Sequence, residues 1–140
     1  MRLSKKAQYG TRAMLDLALN HGRGLTSLSR IARGQGISVK YLEQLFRSLR
    51  RAGMVEGVRG VAGGYRLKRP PGEIRMGDVI RALEEPMSPV ACLDDSALCD
   101  RWEGCQARDM WIYLSQAIQR ALDEVTLEGI LRRRLGEERG

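Results

Sequence analysis

Three cysteines, Cys92, Cys99 and Cys105, fall within 14 residues in a C-x6-C-x5-C spacing. Thiolates are soft ligands suited to iron–sulfur clusters, and such clusters tolerate a non-cysteine fourth ligand. The spacing is not the paired C-x2-C knuckle of structural zinc sites. The same thiols also fit free or redox-sensing cysteines, and spacing alone leaves both readings open. A disulfide framework is not expected from an odd number in a chain whose N-terminus has no signal-type apolar core. Between Cys92 and Cys105 lie Asp94, Asp95, Asp100 and Glu103 against Arg101, a net charge of −3. That setting opposes electron uptake by an already anionic centre. It also suits a loop kept soluble by its charges. His21 is the single histidine, and no Ser–His–Asp set or phosphate loop is present, so no enzyme is expected.

The elements that must position this loop begin with a charge split. The 140 residues carry net +7, but residues 1–70 hold +12 and residues 71–140 hold −5. A basic half points to a polyanionic partner. No apolar run approaches the ~18 residues of a membrane span, which predicts a cytoplasmic chain with no membrane partner. Ser4 caps a predicted first helix to about Asn20, with Tyr9, Ala13, Leu15, Leu17 and Leu19 in an apolar pattern that Met14 and Ala18 widen. A short second helix runs from Thr26 or Ser27 through Ala32, followed by a Gly34-Gln35-Gly36 turn. Ser38 then caps a third helix that turns Val39, Leu42, Leu45, Phe46 and Leu49 to one face and stops at Gly53. Short helix, glycine turn and longer helix form a helix-turn-helix.

A hairpin follows, with strands predicted at Met54–Val58 and Tyr65–Leu67 around an Arg59–Gly64 tip. Placed here, it is a wing, and its glycines allow close approach to a sugar-phosphate backbone. Arg59, Arg66, Lys68 and Arg69, with Lys40, Arg47, Arg50 and Arg51 on the third helix, form a band for phosphates. The first turns of that helix nominate Ser38, Lys40, Tyr41 and Gln44 for DNA contact; Gln44 can read adenine edges. Glu43 is the acid in this basic surface. It either discriminates between sequences or pairs with Arg47 one turn along.

These residues carry a resemblance. Met1–Ser4, the stretch Ile37-Ser38-Val39-Lys40-Tyr41-Leu42-Glu43-Gln44-Leu45-Phe46 and the wing Val58–Tyr65 resemble the Rrf-two family of bacterial winged-helix regulators, from Met1 to about Leu131. The resemblance implies that Ser38, Lys40, Tyr41, Glu43 and Gln44 lie on the recognition helix and that Arg59 enters the minor groove. It implies a homodimer on partly two-fold-symmetric operator DNA. It further implies that Cys92, Cys99 and Cys105 hold an iron–sulfur cluster, as in the IscR-like and NsrR-like branches. The fourth ligand departs from both. Where one branch has a histidine three positions after the third cysteine, this chain has Arg108. Where the other has an acid near the N-terminus, it has Lys5-Lys6-Ala7-Gln8. Asp94, Asp95, Asp100, Glu103, Asp109, a partner's Gln8, His21, or a water or small thiol are the remaining candidates, so [2Fe–2S] and [4Fe–4S] both stay open.

After Pro70-Pro71-Gly72 a short helix is predicted over about Met76–Glu84, facing Val79, Ile80 and Leu83 inward. From Asp109, Trp111, Leu114, Ile118, Leu122 and Val125 form an apolar seam, and pairing with a second copy along 109–125 covers it. A closing helix is expected from Thr126-Leu127 through Leu135. The expected fold is mainly α with a small β-hairpin wing: a winged helix-turn-helix head at 1–70, a connecting helix and cysteine loop at 71–107, and a long dimerisation helix with its tail at 108–140. The expected function is a regulator, in the repressor sense, whose operator affinity a cluster controls. A cluster-free regulator sensing thiol oxidation or a partner protein is the alternative, and an iron–sulfur electron carrier a more distant one.

Overall fold

The computed structural model of the chain describes residues 3–83, 87 and 104–135. Helix α1 spans Lys5–Leu19 and starts at Ser4, whose hydroxyl oxygen accepts a hydrogen bond from the Ala7 amide at 3.3 Å. Such a cap satisfies one of the amides that a helix start leaves open. Ala7, Gly10, Ala13, Met14, Leu17 and Ala18 form its buried stripe. Leu19, expected in that stripe, is 64% exposed. At 3.6 residues per turn it lies across the helix from the others.

Helix α2, Leu28–Gln35, is capped by Ser27. It runs three residues past its expected end at Ala32, and Gly34 sits inside it. The reversal into the next helix falls on Gly36, whose φ of 68° is left-handed. Helix α3, Val39–Arg51, buries Leu42, Leu45, Phe46 and Leu49, and Gly53 follows its Ala52 cap with φ 77°.

Strands β1, Val55–Val58, and β2, Gly64–Leu67, pair antiparallel with Val55 opposite Leu67 and Val58 opposite Gly64. Thr26 bridges the second strand through both of its backbone groups: its N–H donates to Tyr65 O at 2.9 Å and its carbonyl accepts from Tyr65 N at 2.8 Å. The ring of Tyr65 meets that of Phe46 with centroids 4.7 Å apart. The wing is thereby tied to α3 and to the segment that leads into α2.

A 3-10 turn at Pro71–Glu73 leads to α4, Met76–Ala82; its expected end at Glu84 lies outside the described residues. Helix α5, Arg108–Glu124, follows, then α6, Leu127–Leu131, capped by Thr126 and shorter than the expected run to Leu135. One hydrophobic core takes residues from α1 through α4, both strands and Leu127 of α6, on both sides of residue 70. Met76 N donates to Val125 O at 2.7 Å and Leu127 N to Ile74 O at 3.1 Å, so the α5–α6 junction is bound by backbone to the start of α4.

The expected seam of α5 is divided. Leu122 and Val125 pack against the core, Val125 as the residue that ends the helix rather than inside it. Leu114 is exposed, together with Met110 and Tyr113. Ser115 is the one buried residue of α5 among those described.

Candidate nucleic-acid interface and cysteine segment

The N-terminus of α2, the exposed side of α3 and the wing enclose a cleft of about 540 Å³. Ser27 and Ser29 enter it from α2, Glu43, Arg47 and Arg50 from α3, and Arg59 from the base of the wing tip. Arg47, Arg50 and Arg59 are exposed and have no acidic partner among the described residues. Three guanidinium groups and a helix start around one cleft make a site for phosphate oxygens. The two serines were not foreseen. The signal was available: α2 had to begin near Ser27, and a helix N-terminus beside a basic recognition helix favours anions.

Every residue nominated for DNA contact on α3 reaches the surface, but they divide. Lys40, Glu43 and Gln44 are exposed. Glu43 shares the cleft with Arg59, whereas Ser38, Lys40, Tyr41 and Gln44 do not line it. Ser38 is exposed, and its hydroxyl oxygen accepts from Tyr41 N at 3.0 Å, so it caps α3 while its own proton stays available to a DNA acceptor. Tyr41 is half-buried against Tyr9 of α1, edge-on with centroids 6.1 Å apart, and Arg12 lies over the Tyr9 ring at 5.8 Å. Glu43 forms no ion pair with Arg47, although the two are one turn apart. The pairing alternative for Glu43 is therefore absent from the structure, and the residue stays exposed where it lines the cleft.

The phosphate band is narrower than the sequence suggested. Arg66 Nε donates to Glu56 Oε1 at 2.6 Å across the hairpin, so this arginine is held on the wing's own strand partner. Cross-strand neighbours of opposite charge meet in this way wherever the register sets them face to face.

Of the three cysteines, Cys105 lies within the described residues. It is half-buried, carries a free thiol, and its carbonyl accepts from Arg108 N at 3.3 Å, where α5 begins. Cys92 and Cys99 lie outside the described residues, as do Asp94, Asp95, Asp100 and Glu103. No group of three or more potential metal ligands forms among the described residues. His21 is exposed just past the end of α1.

The family model whose description reads "Iron-dependent Transcriptional regulator" matches residues 3–133. The chain belongs to the Rrf2 family. This Rrf2 protein is 43% identical over 138 residues to the HTH-type transcriptional regulator CymR of Bacillus subtilis, covering 99% of this chain and 95% of that protein. It is 41% identical over 127 residues to the HTH-type transcriptional regulator IscR of Klebsiella pneumoniae, covering 91% of this chain and 77% of that one. Its fold superposes on the solved structure of CymR, described as the global cysteine regulator of B. subtilis, with a TM-score of 0.77 and 41% identity, over 95% of this chain and 98% of that one. As an Rrf2 protein it is a DNA-binding transcriptional regulator with a winged-helix fold, and not an enzyme. None of its described helices is long and apolar enough to cross a membrane.

Proposed function

We propose that the chain is a homodimeric repressor that grips operator DNA with α3 and the wing, its affinity set by an iron–sulfur cluster on Cys92, Cys99 and Cys105. The cleft of Arg47, Arg50 and Arg59 beside the α2 N-terminus carries the DNA part of this reading. Phosphates seat in the cleft, Lys40, Glu43 and Gln44 face base edges, and Arg59 tracks the minor groove, where narrow segments concentrate negative potential. The open apolar residues of α5 supply the face for a second copy, which sets two recognition helices on one side of the duplex. The head at 1–70, the segment 71–107 and the helix and tail at 108–140 then divide the work into DNA, sensing and pairing, in a cytoplasmic protein.

The donor set fits a cluster in chemistry: three thiols close in sequence, with Cys105 half-buried and free of a disulfide. When bound, a cluster supplies one-electron redox chemistry and reactivity toward small oxidants. Cys105 precedes α5 by three residues, so a ligand it holds acts on the start of the helix whose far end is fixed to the head. The family's iron-dependent description supports this reading.

The second reading, a cluster-free regulator, is favoured by Arg108 at the position where a histidine ligand is expected, and by the likeness to a regulator described by cysteine rather than iron. Anaerobic purification with visible absorption and iron and sulfide analysis separates them. A coloured protein with stoichiometric iron and sulfide is expected; a colourless, iron-free chain after reconstitution selects the second reading. Gel-shift titration across salt tests the DNA part, since phosphate contacts make affinity fall steeply with ionic strength. Binding that is absent, or flat with salt, with and without iron, overturns it.

A further inference from the structure

A second recess, separate from the DNA cleft, lies between the C-terminal half of α1 and α2 and encloses about 450 Å³. That is within the range of pockets that hold small metabolites, roughly 300–1,000 Å³. We propose that it binds a small zwitterion of the α-amino-acid class. Asp16 contributes a carboxylate, Arg23 and Arg30 contribute guanidinium groups, and Leu19 and Ile31 supply apolar wall.

The charges point to that ligand because they share one recess without pairing. Asp16 Oδ2 accepts from Gln35 Nε2 at 3.1 Å, leaving its other oxygen free. Neither Arg23 nor Arg30 has an acidic partner among the described residues, so opposite charges face a common space at separations beyond an ion pair. A molecule carrying an ammonium and a carboxylate satisfies both ends: the ammonium at Asp16, the carboxylate at the arginines. Gln35, which holds Asp16 in place, keeps its own Oε1 buried without a donor. A free phosphate or DNA phosphate is a poorer match, because the Asp16 carboxylate repels it. Asn20 is held by its Nδ2 donating to Thr26 Oγ1 at 2.9 Å, which leaves its carbonyl oxygen as a second acceptor for the ammonium. Leu19, stranded off the buried stripe of α1, is 64% exposed and offers the apolar surface that an aliphatic side chain covers.

The full chain, free of DNA, is titrated by calorimetry with each proteinogenic α-amino acid, with its N-acetyl and carboxamide derivatives, and with inorganic phosphate. Saturable binding of at least one amino acid is expected, lost in both capped derivatives. Asp16→Asn weakens it by about tenfold or more, about 1.4 kcal/mol, by removing the charge. That variant still offers Gln35 an acceptor, so the fold is kept. Gly34 also lines the recess, and a Cβ added there meets no heavy atom within 4 Å, so Gly34→Phe sets a bulky side chain at the site from an unobstructed start. Unchanged far-UV circular dichroism and thermal midpoint show that both variants fold. No binding by any amino acid, equal binding by a capped derivative, affinity unchanged in Asp16→Asn or Gly34→Phe, or phosphate occupying the recess instead, each overturns the proposal. DNA takes no part in the titration, so its failure and that of the proposed DNA-binding role are told apart.

Discussion

Arg59 and Glu43 stand in one cleft with opposite charge, and each has a separable effect on DNA binding. Arg59→Ala removes one phosphate contact, and the slope of log affinity against log salt should shallow by about 0.9, read by gel shift or fluorescence anisotropy. Glu43→Gln keeps the shape and deletes the repulsion, so affinity for non-operator duplex should rise more than affinity for operator. Ser38 serves the fold first: Ser38→Ala forfeits the α3 cap and should lower stability by about 1 kcal/mol in chemical denaturation. These residues were all legible as surface candidates because helix period and charge are local properties. That Glu43 leaves Arg47 unpaired, while Glu56 takes Arg66, was not legible, since side-chain pairing depends on the register of two strands and on competing solvent.

At the scale of elements, the wing and α5 are each held by contacts between segments distant in sequence. Gly64 lies so close to the Thr26 carbonyl that an added Cβ would strike backbone, which has no rotamer to yield. Gly64→Ala should therefore break the Thr26–Tyr65 bridge and cost about 1–3 kcal/mol, with loss of DNA affinity exceeding the loss of stability. Helices α4 and α5 are joined by Arg81, whose two terminal nitrogens donate to the two Asp123 oxygens at 2.9 Å each, while Asp78 adds a longer contact at 3.3 Å. The hydrogen bonds from Arg81, reinforced by its charge, hold the Asp123 carboxyl below its ordinary range. A lowered folded pKa means stability that is present above the unfolded value, near ~3.9, and lost as pH falls through the folded one. Asp123→Asn should thus cost up to about 1 kcal/mol at neutral pH, discounted for a partly exposed pair, and nothing in strong acid. Denaturant melts at pH 7 and pH 2 check both halves of that statement.

For the whole molecule, the decisive surface is the uncovered part of α5. Tyr113 is 66% exposed and Met110 54%, with Leu114 beside them, in a helix whose other end is packed into the head. Of these three only Leu114 belongs to the expected seam, and a second copy of the same helix is the partner proposed for this face. Sedimentation should show a dimer, and Leu114→Glu should shift it to monomer while leaving the circular dichroism spectrum of the head intact. Operator affinity should fall in parallel, because two half-sites are then no longer engaged together.

By itself the sequence determined the local pieces: a basic half and an acidic half, capped helices at Ser4, Ser27 or its neighbour, and Ser38, a glycine-tipped wing, and three cysteines within one acidic stretch of 14 residues. Caps, periodicity and charge are written within a few residues of where they act, so most of them are read locally, Leu19 being the exception. What only the tertiary structure decided were the relations between segments far apart in the chain. It set Ser27 and Ser29 in one cleft with Arg59, paired Arg66 with Glu56, and opened Leu19 onto a recess that Asp16, Arg23 and Arg30 share without an ion pair. It also packed Leu122 and Val125 of the α5 seam against the core and left Leu114 exposed. Those outcomes depend on which surfaces compete for the same core, and no stretch of sequence contains both competitors.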